Sequence, residues 1–172
     1  WDALGYDCAG ISGIMKEARI WDLHLSDVDG DGDLDPVAFA GGVVQVFQNQ
    51  GANYSALWNS PYNVFDGDEF AGITKDGAVG DINGDGVVDL VAAVQPGVDL
   101  VPAGHIAVFL SNGATGSWTM EPLDFIASET TIRHVELTDL NGDGALDIVY
   151  TTRKTDGDWG FDGEVYVRLQ NP

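Results

Sequence analysis

The sequence predicts an all-β fold in which one unit of four-stranded antiparallel sheet is repeated three times. Three observations predict it. A nonapeptide of pattern D-x-[DN]-G-D-G-x-x-D recurs at Asp27–Asp35, Asp81–Asp89 and Asp139–Asp147, its starts 54 and 58 residues apart. An alternating pattern follows each copy: Gly41-x-Val43-x-Gln45-x-Phe47-x-Asn49, Gly104-x-Ile106-x-Val108-x-Leu110-x-Asn112 and Gly163-x-Val165-x-Val167-x-Leu169-x-Asn171. Glycine fills 23 of 172 positions, roughly twice the usual ~7%, which favours a turn-rich chain over a helical one.

The elements follow in order. Leu23-x-Leu25, Ala78-Val79 and Val135-x-Leu137 lead into the nonapeptides as short apolar, β-prone runs. Pro36 to Ala40, Leu90 to Val94 and Ile148 to Thr152 lead out as second strands. The Gly-to-Asn pattern supplies the third strand. In its first copy Val43 and Phe47 face one side and Val44 and Val46 the other, so it must be covered on both faces. Fourth strands are predicted at Tyr54 to Trp58 and Ser117 to Met120, after the turns Asn49-Gln-Gly51 and Asn112-Gly113. One domain of three repeats results, over residues 18–73, 74–131 and 132–172. Within the preceding segment, 1–17, Trp1 to Tyr6 is a candidate closing strand.

Composition fits a folded domain, because 44% hydrophobic residues over this length can bury a core. With 28 acidic and 7 basic residues the net charge is -21. That excludes nucleic acid and an anionic membrane surface as partners, since both need a Lys/Arg stripe. Insertion into a bilayer is also excluded, because no apolar run approaches the ~20 residues of a span. The acid is 22 Asp against 6 Glu, a skew towards short, stiff carboxylates in loops. The chain opens on Trp1, as expected of a mature, cleaved product or an excised piece. The lone Cys8 permits no internal disulfide, so another staple is required.

The nonapeptide supplies that staple in the form of oxygen ligands for a hard cation. In the first copy Asp27, Asp29, Asp31 and Asp35 stand at positions 1, 3, 5 and 9, and the Asp33 carbonyl is the ligand at position 7. The same roles fall to Asp81, Asn83, Asp85, the Val87 carbonyl and Asp89, and to Asp139, Asn141, Asp143, the Ala145 carbonyl and Asp147. No His or Cys accompanies any copy, which disfavours zinc and the soft metals. Ca²⁺ suits five or more protein oxygens better than Mg²⁺, which prefers to keep its waters. An EF-hand is rejected because position 12 is Ala38, Ala92 or Tyr150, none of which can ligate, and because the flanks read as strands.

The three loops with their strands resemble FG-GAP or VCBS-type repeats, the calcium-loop blades of integrin-α-like β-propellers. The resemblance covers roughly residues 18 to 172. The Phe-Gly and Gly-Ala-Pro elements that name the FG-GAP repeat are not clearly present, which favours the broader VCBS-like group over integrin-type adhesion in particular. The resemblance implies β-propeller-type blades. Propellers usually close with four to eight blades. Three blades are therefore expected to be part of a longer propeller, or to assemble head to tail as a homo-oligomer that completes a blade by strand exchange.

Calcium at three sites is expected to be structural. It relieves carboxylate repulsion and cross-links the first and second strands of each blade. Loops of this kind fill at extracellular calcium levels, which implies a secreted or cell-surface setting, or a periplasmic one. The function expected is binding or adhesion, with a carbohydrate or an extracellular protein as ligand. The alternatives are a subunit of a surface fibre or sheath, and an accessory propeller of a polysaccharide-acting enzyme. Long variable loops offer Tyr62, Phe65, Trp159 and Phe161 as ligand-face candidates. Asp66-Gly-Asp68-Glu69 and Asp156-Gly-Asp158 read as surface turns, and Asn53-Tyr-Ser55 matches a glycosylation sequon. No catalytic residue is expected, since His24, His105 and His134 are isolated in sequence and Cys8 has no recognisable partner.

Overall fold

The computed structural model describes residues 20–40, 43–51, 54–59, 73–95, 105–113, 117–125, 130–154 and 163–170. Over these the chain is all-β, with no helix. The first sheet contains β1 (Ile20–Ser26), β2 (Asp35–Ala40), β3 (Val43–Asn49) and β4 (Tyr54–Asn59), hydrogen-bonded in chain order. The second contains β5 (Ile73–Gly80), β6 (Asp89–Gln95), β7 (His105–Ser111) and β8 (Trp118–Phe125), again in chain order. The third contains β9 (Thr130–Thr138), β10 (Asp147–Lys154) and β11 (Gly163–Arg168), three strands among the described residues. All neighbouring strands are antiparallel. Each nonapeptide joins the first strand of a sheet to the second, as its flanking sequence predicts.

The sheets stack face to face through two apolar cores. Between the first and second sheets lie Val37, Phe39, Val44 and Val46 from one side and Leu90, Ala92, Ala107, Phe109 and Trp118 from the other. Trp58 closes this layer, its ring 5.5 Å from Phe109 and 5.2 Å from Trp118. Between the second and third sheets lie Ala78, Val91, Ala93, Ile106 and Val108 against Ile132, Val135, Ile148 and Tyr150. The middle sheet thus buries both faces, which is why β6 and β7 are apolar at every second and every intervening position.

Closest approach falls at Gly77. A Cβ there would stand 2.1 Å from the Phe39 ring, so only glycine lets β5 lie beneath that phenyl group.

The structure changes one correspondence expected from sequence. Aligning third strands on their terminal Asn equates Val43 with Ile106. Val46 instead pairs with Val37, whereas the matching partner of Val91 is Val108 and that of Val149 is Val167. Asn49 therefore stands where Ser111 and Gln170 stand, and the first repeat is displaced by one residue from the other two. With a period of two, that shift exchanges the faces, so Val44 and Val46 enter the core where the pattern would have sent Val43.

The end sheets keep exposed apolar residues. Leu23 and Leu25 of β1 are 56% and 59% exposed, and Val165 and Val167 of β11 are 69% and 51% exposed. Trp1 to Tyr6, Cys8, Asn53, Tyr62, Phe65, Asp66 to Glu69, Asp156 to Asp158, Trp159 and Phe161 lie outside the described residues.

Candidate metal centres

The three nonapeptide loops share one hydrogen-bond scheme. The position 1 carboxylate accepts the backbone N–H groups of positions 4 and 6: Gly30 and Gly32 at 2.8 and 3.0 Å on Asp27, Gly84 and Gly86 at 2.8 Å each on Asp81, Gly142 and Gly144 at 2.7 and 3.0 Å on Asp139. These glycines have φ between 75° and 92°, the left-handed region that a β-carbon disfavours. Position 3 accepts from the N–H of position 5, and position 5 from that of position 7. Successive Asx turns therefore wrap the loop around its own acidic groups.

Position 9 does two jobs at once. Asp35, Asp89 and Asp147 are each 0% exposed. One carboxylate oxygen accepts from the N–H of loop position 2, namely Val28, Ile82 and Leu140 at 3.0, 3.0 and 2.9 Å. The other accepts from the last residue of the third strand, Asn49 and Ser111 at 2.6 and 2.7 Å, or from two residues beyond it, Gln170 at 2.9 Å. Each of these aspartates ties its loop to both neighbouring strands. Burial pushes the Asp35 carboxyl above its usual range against two opposing backbone bonds, and the charges of Asp29 and Asp31 push the same way. Burial likewise raises Asp89, with Asp85 adding to it. Among the described residues no cation offsets these buried charges.

In the first loop Asp27, Asp29 and Asp35 each bring one oxygen within 4.8 Å of the others, the one such group of three among the described residues. The other loops carry Asn at position 3. The Asn83 and Asn141 amides donate to Asp85 and Asp143 at 3.0 and 2.8 Å, leaving the side-chain carbonyls turned to backbone N–H groups. An all-oxygen donor set with a net negative, partly buried interior fits a hard divalent cation. The position 7 residues Asp33, Val87 and Ala145 lie in the same turns. The position 12 residues Ala38, Ala92 and Tyr150 are buried in the sheets, away from the loops.

The histidines fall elsewhere. His24 packs edge-on to Phe39, and its Nε2 donates to Asp22 at 2.9 Å. His134 Nδ1 stands 2.8 Å from Asp76. His105 is buried at the start of β7.

Among known proteins, no curated sequence matches the chain. Residues 81–150 match the family model described as FG-GAP-like repeat, a span that opens on the second nonapeptide and ends shortly after the third. Over that span the chain is similar to an FG-GAP-like repeat, and its all-β architecture of stacked antiparallel sheets fits such a repeat.

Proposed function

We propose that the chain is a calcium-stabilised binding module that works outside the cell, its ligand a carbohydrate or another extracellular protein. The observation that supports it best is the convergence of Asp27, Asp29 and Asp35 in a loop whose hydrogen-bond scheme recurs twice more. Calcium in each loop would be held by the side chains of positions 1, 3, 5 and 9 and the carbonyl of position 7. When bound it supplies charge neutralisation, and the position 9 aspartates then couple the filled loop to two strands. No redox or hydrolytic step is assigned to it, and the module acts by presenting surface loops on a stiffened scaffold. Native mass spectrometry in calcium and in EGTA tests this reading. Three Ca²⁺ per chain that leave with EGTA support it; a mass unchanged by calcium contradicts it.

A second reading, head-to-tail assembly of copies into a ring or a surface fibre, is favoured by the apolar residues left exposed on β1 and β11. Light scattering in millimolar calcium separates the two, since a stable monomer contradicts assembly.

A further inference from the structure

Each first strand has one residue more than its ladder can pair. The register breaks between Ile20 and Asp22, between Thr74 and Asp76, and between Ile132 and His134, so the extra residues are Trp21, Lys75 and Arg133. They occupy equivalent places, with the same 54- and 58-residue spacing as the loops. A bulge re-aims the side chain of its extra residue away from the alternation of the strand. Because β1 lies against β5 and β5 against β9, the three bulges lie in a row across the sheets. Within it Lys75 Nζ stands 5.4 Å from the centroid of the Trp21 ring. Burial, and then the Arg133 charge beside it, holds the Lys75 ammonium below the usual lysine range.

Two adjacent cations repel each other, and a chain with 28 acidic residues has carboxylates enough to pair both. Among the described residues neither Lys75 nor Arg133 makes an ion pair. The carboxylates that follow Trp21 and Lys75 in sequence are committed elsewhere, Asp22 to the N–H groups of Leu23 and Gly77 and to His24, Asp76 to the N–H of Val135 and to His134. Trp21 meanwhile is 45% exposed. A partly exposed indole with Lys75 over it thus adjoins a cation pair that makes no ion pair among the described residues.

We propose that Trp21, Lys75 and Arg133 form a binding site for an acidic saccharide, the sugar ring packing against the part of the indole that Lys75 leaves exposed and its carboxylate held between the two cations. The carbon face of a pyranose packs on an aromatic ring, and a carboxylate accepts charge-assisted bonds from ammonium and guanidinium groups together. A neutral sugar cannot neutralise the cation pair, and a small inorganic anion has no face to lay on Trp21. The negative charge of the whole chain opposes approach, but at physiological ionic strength it is screened beyond ~8 Å, while the site acts at contact. This assignment rests on the binding-module reading above and names its ligand class; it does not depend on the calcium count.

Isothermal calorimetry on the full chain in calcium tests it, with two matched probes: the glucuronic acid tetramer and cellotetraose, its neutral counterpart of the same linkage. The acid tetramer is expected to bind at least about tenfold more tightly than cellotetraose, and Lys75→Gln, Arg133→Gln and Trp21→Ala each to weaken it by about tenfold, at melting temperatures close to that of the unmutated chain. Trp21→Phe, which keeps a smaller ring, is expected to fall between, and serves if Trp21→Ala does not fold. Equal affinity for both tetramers, no binding of either, or full affinity in the Lys75→Gln and Arg133→Gln chains overturns the site. Sulfate that displaces the acid tetramer at equal concentration reduces it to a bare anion site and overturns the saccharide assignment. A chain that takes up calcium and binds a different ligand keeps the module reading and loses this site.

Discussion

Asp76 of β5 accepts a hydrogen bond from the backbone N–H of Val135 in β9 at 2.6 Å, across the boundary between the second and third sheets. Asp22 of β1 does the same for Gly77 of β5 at 3.2 Å, across the boundary between the first and second. The two aspartates are equivalent in the repeat, each following a bulge. The third equivalent is His134, which donates back to Asp76. Neighbouring sheets are therefore joined by a carboxylate-to-backbone staple beside each apolar core.

Asp76→Ala leaves the Val135 N–H without its acceptor in a partly buried position. It should lower stability by about 1–3 kcal/mol, and Asp22→Ala by less, because its bond is longer. Urea unfolding midpoints at fixed calcium measure both, and an Asp76→Ala chain as stable as the parent removes the staple from the account.

The same carboxyl predicts a pH dependence. Burial is the main cause that raises Asp76, with the charge of Asp22 adding to it, while Val135, His134 and their hydrogen bonds oppose it. The folded state therefore holds this proton at a pH where the unfolded chain, with its carboxyl near 3.8, has released it. Stability from this group is full below 3.8 and is lost as pH rises through the folded value. Unfolding midpoints between pH 4 and pH 7 should fall less steeply in Asp76→Asn than in the parent.

Gly77→Ala forces a methyl group into the Phe39 ring and should cost more than the about 1–3 kcal/mol of ordinary overpacking. Phe39→Leu in the same chain should recover part of that loss. Strict additivity in the double-mutant cycle would show that the two residues do not meet.

Comparing position 9 with position 5 separates the backbone staple from the proposed metal ligand. Asp89→Ala orphans the N–H groups of Ile82 and Ser111 and should destabilise the chain in EGTA as well as in calcium, by about 1–3 kcal/mol for each group. Asp85→Ala removes an exposed position 5 carboxylate that holds loop amides alone, so its cost should be far larger in calcium than in EGTA. Thermal melts of the two variants under both conditions give the comparison.

Much of this was legible in the sequence because it is local. The loops announce themselves through glycines that must take positive φ and acids at alternating positions, and the strands through their apolar runs. The fourth strands predicted from Tyr54 and Ser117 appear as β4 and β8. What escaped depends on partners more than fifty residues away. Nothing around Asp22 or Asp76 reveals that their acceptors face Gly77 and Val135 of the next repeat. The bulges at Trp21, Lys75 and Arg133 are seen only once the second strands are paired. The third-strand shift escaped because Asn49 and Asn112 look equivalent, whereas the bonds to Asp35 and Asp89 equate Asn49 with Ser111. That pairing was the available signal, one step back from the Asn in two repeats out of three.

The most direct test of the central claim is the melting temperature of the full chain with saturating calcium and with EGTA. Three sites each filled 100-fold above their dissociation constants would add about 8 kcal/mol, a rise of about 15 °C or more for a chain of this length. The account predicts that rise, reversed when EGTA is added back. A melting temperature indifferent to calcium would contradict it.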